Sequence, residues 1–229
     1  MKRYFTDIIK SVRVVLDQNK DSSMLSAIGD VDTLSIDEII EESIHSALHA
    51  VLMAAPDTFF DSGIDMAPGD LDVTMKDTQD GHFSYASIKL PSNFIRLLAL
   101  KMNDWDFAVS SASPRGSATY AVQHSRVGHI HGNPQNPVAV ITPDGKHVEA
   151  FSSNSMAALD TFVYVGMPDE ETINGKKCIE ISDNMYESFI YYSASLVCAT
   201  LSDFDKSKAL RDIAMQHLTT KPIPDDTVE

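Results

Sequence analysis

The stretch that most narrows the possible folds is residues 34–56, LSIDEIIEESIHSALHAVLMAAP. Ser35 and Glu38 have the S-x-x-E spacing of a capping box, in which each side chain satisfies a backbone N–H that a helix start leaves open. Leu34 can staple against Ile39 across that first turn. Ile36, Ile39, Ile40, Ala47, Leu48, Val51 and Leu52 recur at helical spacing and make one apolar stripe. Asp37, Glu38, Glu41 and Glu42 sit in the first turns, where the helix dipole favours negative charge, and Pro56 stops the run.

Other segments extend this pattern. Residues 4–18 read as an earlier helix, with Phe5, Ile8, Ile9, Val12, Val15 and Leu16 at helical spacing. Residues 57–80 are an acidic connection punctuated by Gly and Pro. HFSYASIKL then alternates as a strand over 82–90. LPSNFIRLLALKMNDW reads as a buried helix, with Pro91 at its first position and Phe94, Leu97, Leu98 and Met102 facing inward. From 106 to 181 helical periodicity disappears. Short β-like runs (ATYAVQ, PVAVIT, KHVEAF, TFVYV, KCIEI) alternate with turn signals such as Pro143-Asp144-Gly145 and Asn174-Gly175. Ser110 to Asn136, rich in Ser, Gly, Asn and Pro, reads as an exposed loop or long hairpin. Two helices follow, over 183–201 and 204–218, the second capped by Asp203; the tail TTKPIPDDTVE has no folding pattern of its own. The expected class is α+β: a helical bundle core from the N- and C-terminal helices, with a β-rich insertion between them.

Charge narrows the function. The 229 residues carry a net charge of −15, and between residues 30 and 80 there are 13 acids against one base, Lys76, a local balance of −12. That excludes binding dominated by phosphates, which needs Lys and Arg to displace counterions. A content of 43% apolar residues supports a sizeable core, yet no apolar run approaches the roughly 20 residues that span a bilayer. Asp7 and Arg13 interrupt the first apolar segment, so no secretory leader and no membrane partner are expected. Cys178 and Cys198 form no CxxC pair and read as buried thiols.

Candidate chemistry centres on three histidines, His124, His129 and His131. An H-x-H pair on a strand can begin a metal site, but such sites add an acid soon after, and none follows His131 before Asp144. The segment reads as loop histidines. Glu42-x-x-His45, with His49 one turn on, has di-iron spacing but lacks the second copy that such a bundle needs. Asp57, Asp61, Asp65, Asp70 and Asp72 do not follow an EF-hand loop. No phosphate-binding Gly loop, G-x-S-x-G elbow or H-E-x-x-H is present, so no catalytic residue, metal or cofactor is assigned.

The helix of residues 34–56, followed by KLPSNFIRLLALKMNDWDFAV with Leu90, Pro91, Phe94, Arg96, Leu97 and Trp105, resembles the head–tail connector (adaptor) proteins of tailed bacteriophages, closest to the ring proteins of crAss-like phages. The resemblance covers the helical half of the chain. It implies a structural virion protein at the head–tail junction and not an enzyme. Such a protein assembles with itself as a closed ring, a dodecamer, below the portal and contacts the next tail or ring protein. DNA passes through its lumen without specific binding. On this likeness 1–105 and 182–218 are the helical adaptor core, 106–181 the β-rich insertion and 219–229 an extended tail. Within that tail, Lys221, Pro222 and Ile223 are the partner-binding candidates. The alternatives are a metal-dependent enzyme using His124, His129 and His131, or an acidic oligomeric binding module.

Overall fold

The computed structural model describes residues 1–16, 35–60, 63–77, 84–114, 117–125, 131–152 and 155–219. The elements begin with strand β1 (Lys2–Tyr4) and helices α1 (Phe5–Val15) and α2 (Ile36–Ala54). Strands β2 (Ile64–Asp65), β3 (Val73–Asp77), β4 (Ser84–Lys89) and β5 (Phe94–Met102) come next. The short helix α3 (Ala118–Gln123) precedes β6 (Ala139–Ile141), β7 (His147–Ser152) and β8 (Leu159–Gly166). Last are β9 (Glu171–Ile173), β10 (Lys176–Glu180), α4 (Asp183–Thr200) and α5 (Phe204–Thr219). The chain is therefore a mixed α+β protein, and its named strand pairs are all antiparallel.

It divides into two compact units, Met1–Asp61 with Met167–Glu229, and Ser62–Gly166. The β-rich unit thus begins well before residue 106 and ends before 181, because β3, β4 and β5 belong to its sheets and β9 and β10 do not.

In the first unit α4 packs against α1, α2 and α5. Its buried side chains, among them Met185, Phe189, Ile190, Ala194 and Val197, lie on several sides of the helix, as a helix flanked by others requires. Small serines let its neighbours approach, and they are not left unsatisfied: Ser188 Oγ donates to the Ala214 carbonyl at 2.8 Å and Ser193 Oγ to the Phe189 carbonyl at 2.9 Å. The capping box of α2 is present as read, with Glu38 N donating to Ser35 Oγ and Ser35 N to Glu38 Oε2. The Leu34 staple lies outside the described residues. Asp203 Oδ1 accepts from Lys206 N at the start of α5. Asn174 and Gly175 both have positive φ, 52° and 75°, which suits the two-residue turn closing the β9–β10 hairpin.

In the second unit β2-β8-β5 forms one sheet and β3-β4-β7-β6 another. One apolar cluster draws on both: Leu97, Leu100, Phe162 and Tyr164 from the first, Ala86, Ile88, Val148 and Ala150 from the second. Two expectations fail here. Residues 94–102 are strand β5, not a helix. Its pairing with β8 shifts register between Leu97 and Ala99, and the bulge spaces the buried Leu97 and Leu100 three apart before Met102 resumes a spacing of two. That irregular spacing imitates helical periodicity. Conversely ATYAVQ is α3, a single capped turn and a half, in which Ser117 Oγ accepts from Tyr120 N at 3.2 Å. No described helix is long and apolar enough to cross a membrane.

Two variants test these assignments by chemical denaturation. Ser35→Ala is expected to cost about 0.5–2 kcal/mol through the lost cap, and Leu48→Ala, at a side chain 1% exposed, about 2–5 kcal/mol. The cap also carries a pH signature. Glu38 is held below the ordinary glutamate value because it accepts the backbone N–H and hydroxyl of Ser35. A carboxylate depressed in the folded state adds stability above its unfolded pKa and loses it as pH falls, so the cost of Ser35→Ala shrinks below about pH 4.

Candidate functional site

A buried cluster of ionisable side chains in the second unit lies on the face of the four-stranded sheet turned away from the apolar cluster. Along β7, Val148 and Ala150 enter that cluster, so by alternation Glu149 and Phe151 point to the other face. The neighbouring strand β4 places Tyr85 opposite Phe151 and Ser87 opposite Glu149. Tyr85 stacks on Phe151 with ring centroids 5.2 Å apart. Helix α3 supplies the cover. Its C-cap residue His124 reaches Glu149, whose Oε2 accepts from Nε2 at 2.6 Å, and Tyr120 lies against the imidazole at 4.5 Å.

Glu149 is 5% exposed, which makes its pairing with His124 necessary: an unpartnered carboxylate at that depth is strongly disfavoured. Its charge is felt by the phenols around it. Burial, then the Glu149 carboxylate, pushes Tyr85 above the ordinary tyrosine value, and the same two causes raise Tyr120.

Of the three histidines of the sequence motif, two are described, and they serve different partners. His124 is tied to Glu149, while His131, 4% exposed, donates from Nε2 to the Ser125 carbonyl at 3.0 Å. Both rings border Phe151, at 5.8 and 6.3 Å, but their Nε2 atoms serve different partners. His129 lies outside the described residues. His131 is also not part of an exposed loop: Gln123 Oε1 accepts from Gly132 N at 2.7 Å, closing α3 onto this segment, and both Gln123 and His131 are buried. A β-carbon at Gly132 would come within 2.9 Å of Val138 Cβ, so the approach depends on glycine.

The remaining candidates are dispersed. Glu42, His45 and His49 lie exposed on α2, and His45 Nε2 donates to Glu170 Oε1 at 2.6 Å. Asp57, Asp65, Asp70 and Asp72 are spread through 57–72, and Asp61 lies outside the described residues, as do Lys221, Pro222 and Ile223. Among the described residues no three His, Cys, Asp or Glu side chains gather into a group that could hold a metal ion. Sequence reading missed Glu149, Tyr85 and Tyr120. The available signal was the acid inside the apolar run HVEAF, where only a buried partner makes a charge tolerable.

Chemically, the arrangement is a carboxylate orienting an imidazole under two phenols, and it also clamps α3 to β7. No protein-family model matches the chain, and no curated protein matches it.

The clamp is testable. His124→Ala leaves Glu149 unpaired and is expected to cost about 1–3 kcal/mol in denaturant unfolding, whereas Glu149→Gln, which keeps an acceptor, costs less. For the phenols, a group raised in the folded state holds its full contribution below the unfolded pKa and loses it as pH rises. Ultraviolet titration should therefore show Tyr85 and Tyr120 ionising after the ordinary tyrosines, with unfolding promoted above about pH 10. Glu149→Gln should bring both back toward the ordinary range without abolishing the effect of burial.

Proposed function

We propose that the protein is a structural virion subunit that forms a closed ring, a dodecamer, below the portal of a tailed bacteriophage, joins head to tail and extends the DNA channel. In this reading the helices from both ends of the chain form the adaptor core as a bundle, with the β-rich part as an insertion between them. The tail around Lys221, Pro222 and Ile223 docks on the portal or a neighbouring subunit.

One observation carries the proposal: a capped acidic helix, α2, whose exposed side bears Glu38 and Glu42, on a chain of net charge −15. This is the helix on which the connector likeness rests. A surface of that sign repels phosphate and lets DNA slide without sticking. Rotationally repeated subunits need head-to-tail contacts that close on themselves, and a chain with distinct faces can supply them. The catalytic alternative draws on a different observation, the Glu149 carboxylate that orients His124.

Negative-stain imaging of the protein mixed with purified portal is the test. Rings stacked on portals are expected; free portals beside unassociated protein would overturn the reading, as would tight binding of duplex DNA at physiological salt. Deleting residues 219–229 is expected to weaken portal binding. Stoichiometric zinc or iron in the purified chain, lost on replacing His129 and His131 together, would favour the enzyme.

A further inference from the structure

On α5, Phe204, Lys208 and Arg211 stand at i, i+4 and i+7, so they share one helix face, and all three are exposed. Phe204 is 68% exposed and Leu201, just before it, 52%. Lys208 and Arg211, like the scattered Lys10 and Lys176, make no ion pair among the described residues, while Lys2, Arg3, Arg13 and Lys177 of the same unit are engaged with Glu171, Asp183, Asp37 and Glu41. Asp205 and Asp212 are also exposed and flank one edge of this face, three and four residues from Lys208. The stripe is thus aromatic and basic, an unusual surface on a chain of net charge −15.

A complementary stripe exists in the same unit. On α2, Glu38, Glu42, Ser46, His49 and Met53 follow one another at steps of three or four and are all exposed. It is acidic at its start and apolar at its end, where Met53 is 49% exposed. No hydrogen bond or ion pair joins the two stripes among the described residues. Helix α4 packs against both α2 and α5, and among the described residues α2 and α5 share no extensive packing of their own.

We infer that the Phe204–Lys208–Arg211 face of α5 docks on the Glu42–Ser46–Met53 face of α2 in a second copy of this chain. A contact of this kind is heterologous: each copy that uses its α5 leaves its α2 open, so association continues until it closes. A second copy fits because copies this acidic repel one another, and the bases left without ion pairs are the natural place for attraction to exceed repulsion. The inference takes from the ring reading only the need for a head-to-tail contact; the stripes themselves belong to the first unit alone.

Sedimentation velocity on the full chain over a range of concentrations tests it. The wild type is expected to form species larger than the monomer. Lys208→Glu with Arg211→Glu, and separately Glu42→Lys with Ser46→Lys, are each expected to sediment as monomers with unchanged circular dichroism. Mixing the two variants should restore association, because the reversed charges complement each other across both faces. A wild type that stays monomeric, variants that associate like the wild type, or a mixture that fails to recover would each overturn the inference. So would loss, in the α5 variant, of binding to phosphatidylserine vesicles or duplex DNA by a chain that never self-associates. No portal is present in these measurements, so their failure is distinguishable from failure of the ring-on-portal experiment.

Discussion

Helix α4 is the constraint on which the first unit rests. It contacts α1, α2 and α5, and so its sequence must be apolar or small on nearly every side. That explains why DNMYESFIYYSASLVCAT mixes large apolar residues with serines in a way that a one-faced helix would not. A serine at a helix contact keeps the backbones close and can return its hydroxyl to a carbonyl, as Ser188 and Ser193 do. Replacing such a position by a larger apolar residue would push two helices apart, since interiors at native density have no slack. By occupying the middle, α4 also fixes which faces of α2 and α5 remain at the surface, and those faces carry the charge pattern on which the proposed assembly depends.

Strand β7 has the same position in the second unit. Covered on both faces, it sends Val148 and Ala150 into the apolar cluster and Glu149 and Phe151 under α3. A strand in that position cannot show a simple in–out alternation of apolar and polar residues. Its single acid is therefore informative. Burying Glu149 is costly, and the His124 contact that offsets the cost also fastens α3 to the sheet, so the same pair serves packing and places an imidazole at a defined position. Gln123, Gly132 and His131 extend the clamp by hydrogen bonds to backbone groups, the usual way an irregular segment is held when it has no strand partner.

How much of this was legible in the sequence follows from the physics of each element. Helix α2 was readable because its cap, its dipole-matched acids and its 3.6-residue stripe all point the same way. Helices α1, α4 and α5 and the Asn174-Gly175 hairpin were readable for similar local reasons. Strand β5 was not, because its bulges break the two-residue period and a Leu-rich run supports either reading until a partner strand decides it. α3 was not, because a six-residue helix has too little pattern and owes its existence to Ser117 at one end and the His124–Glu149 pair at the other. The site residues failed for a further reason. Glu149 and Tyr85 come together only through the β4–β7 register, and His124 reaches Glu149 only once α3 is laid on that sheet, long-range facts that no local window holds.

The distribution of charge gives these local facts a common direction. The sequence sets 18 basic residues against 33 acidic ones, and the structure commits several of those bases to ion pairs. Lys2, Arg3, Arg13 and Lys177 are committed to acids of their own unit, and Lys101 lies beside Asp160 in the other. Exposed pairs of this kind add little stability, on the order of 0–1 kcal/mol each, but each removes a base that a partner could have used. Each pair cancels an acid as well as a base, so the excess of acids in the sequence remains, with the Phe204–Lys208–Arg211 face as a local exception. A chain built this way discourages indiscriminate contact and confines attraction to a small, directional area. That is the physical requirement of the proposed assembly, in which copies must find one another in a single orientation while a polyanion passes.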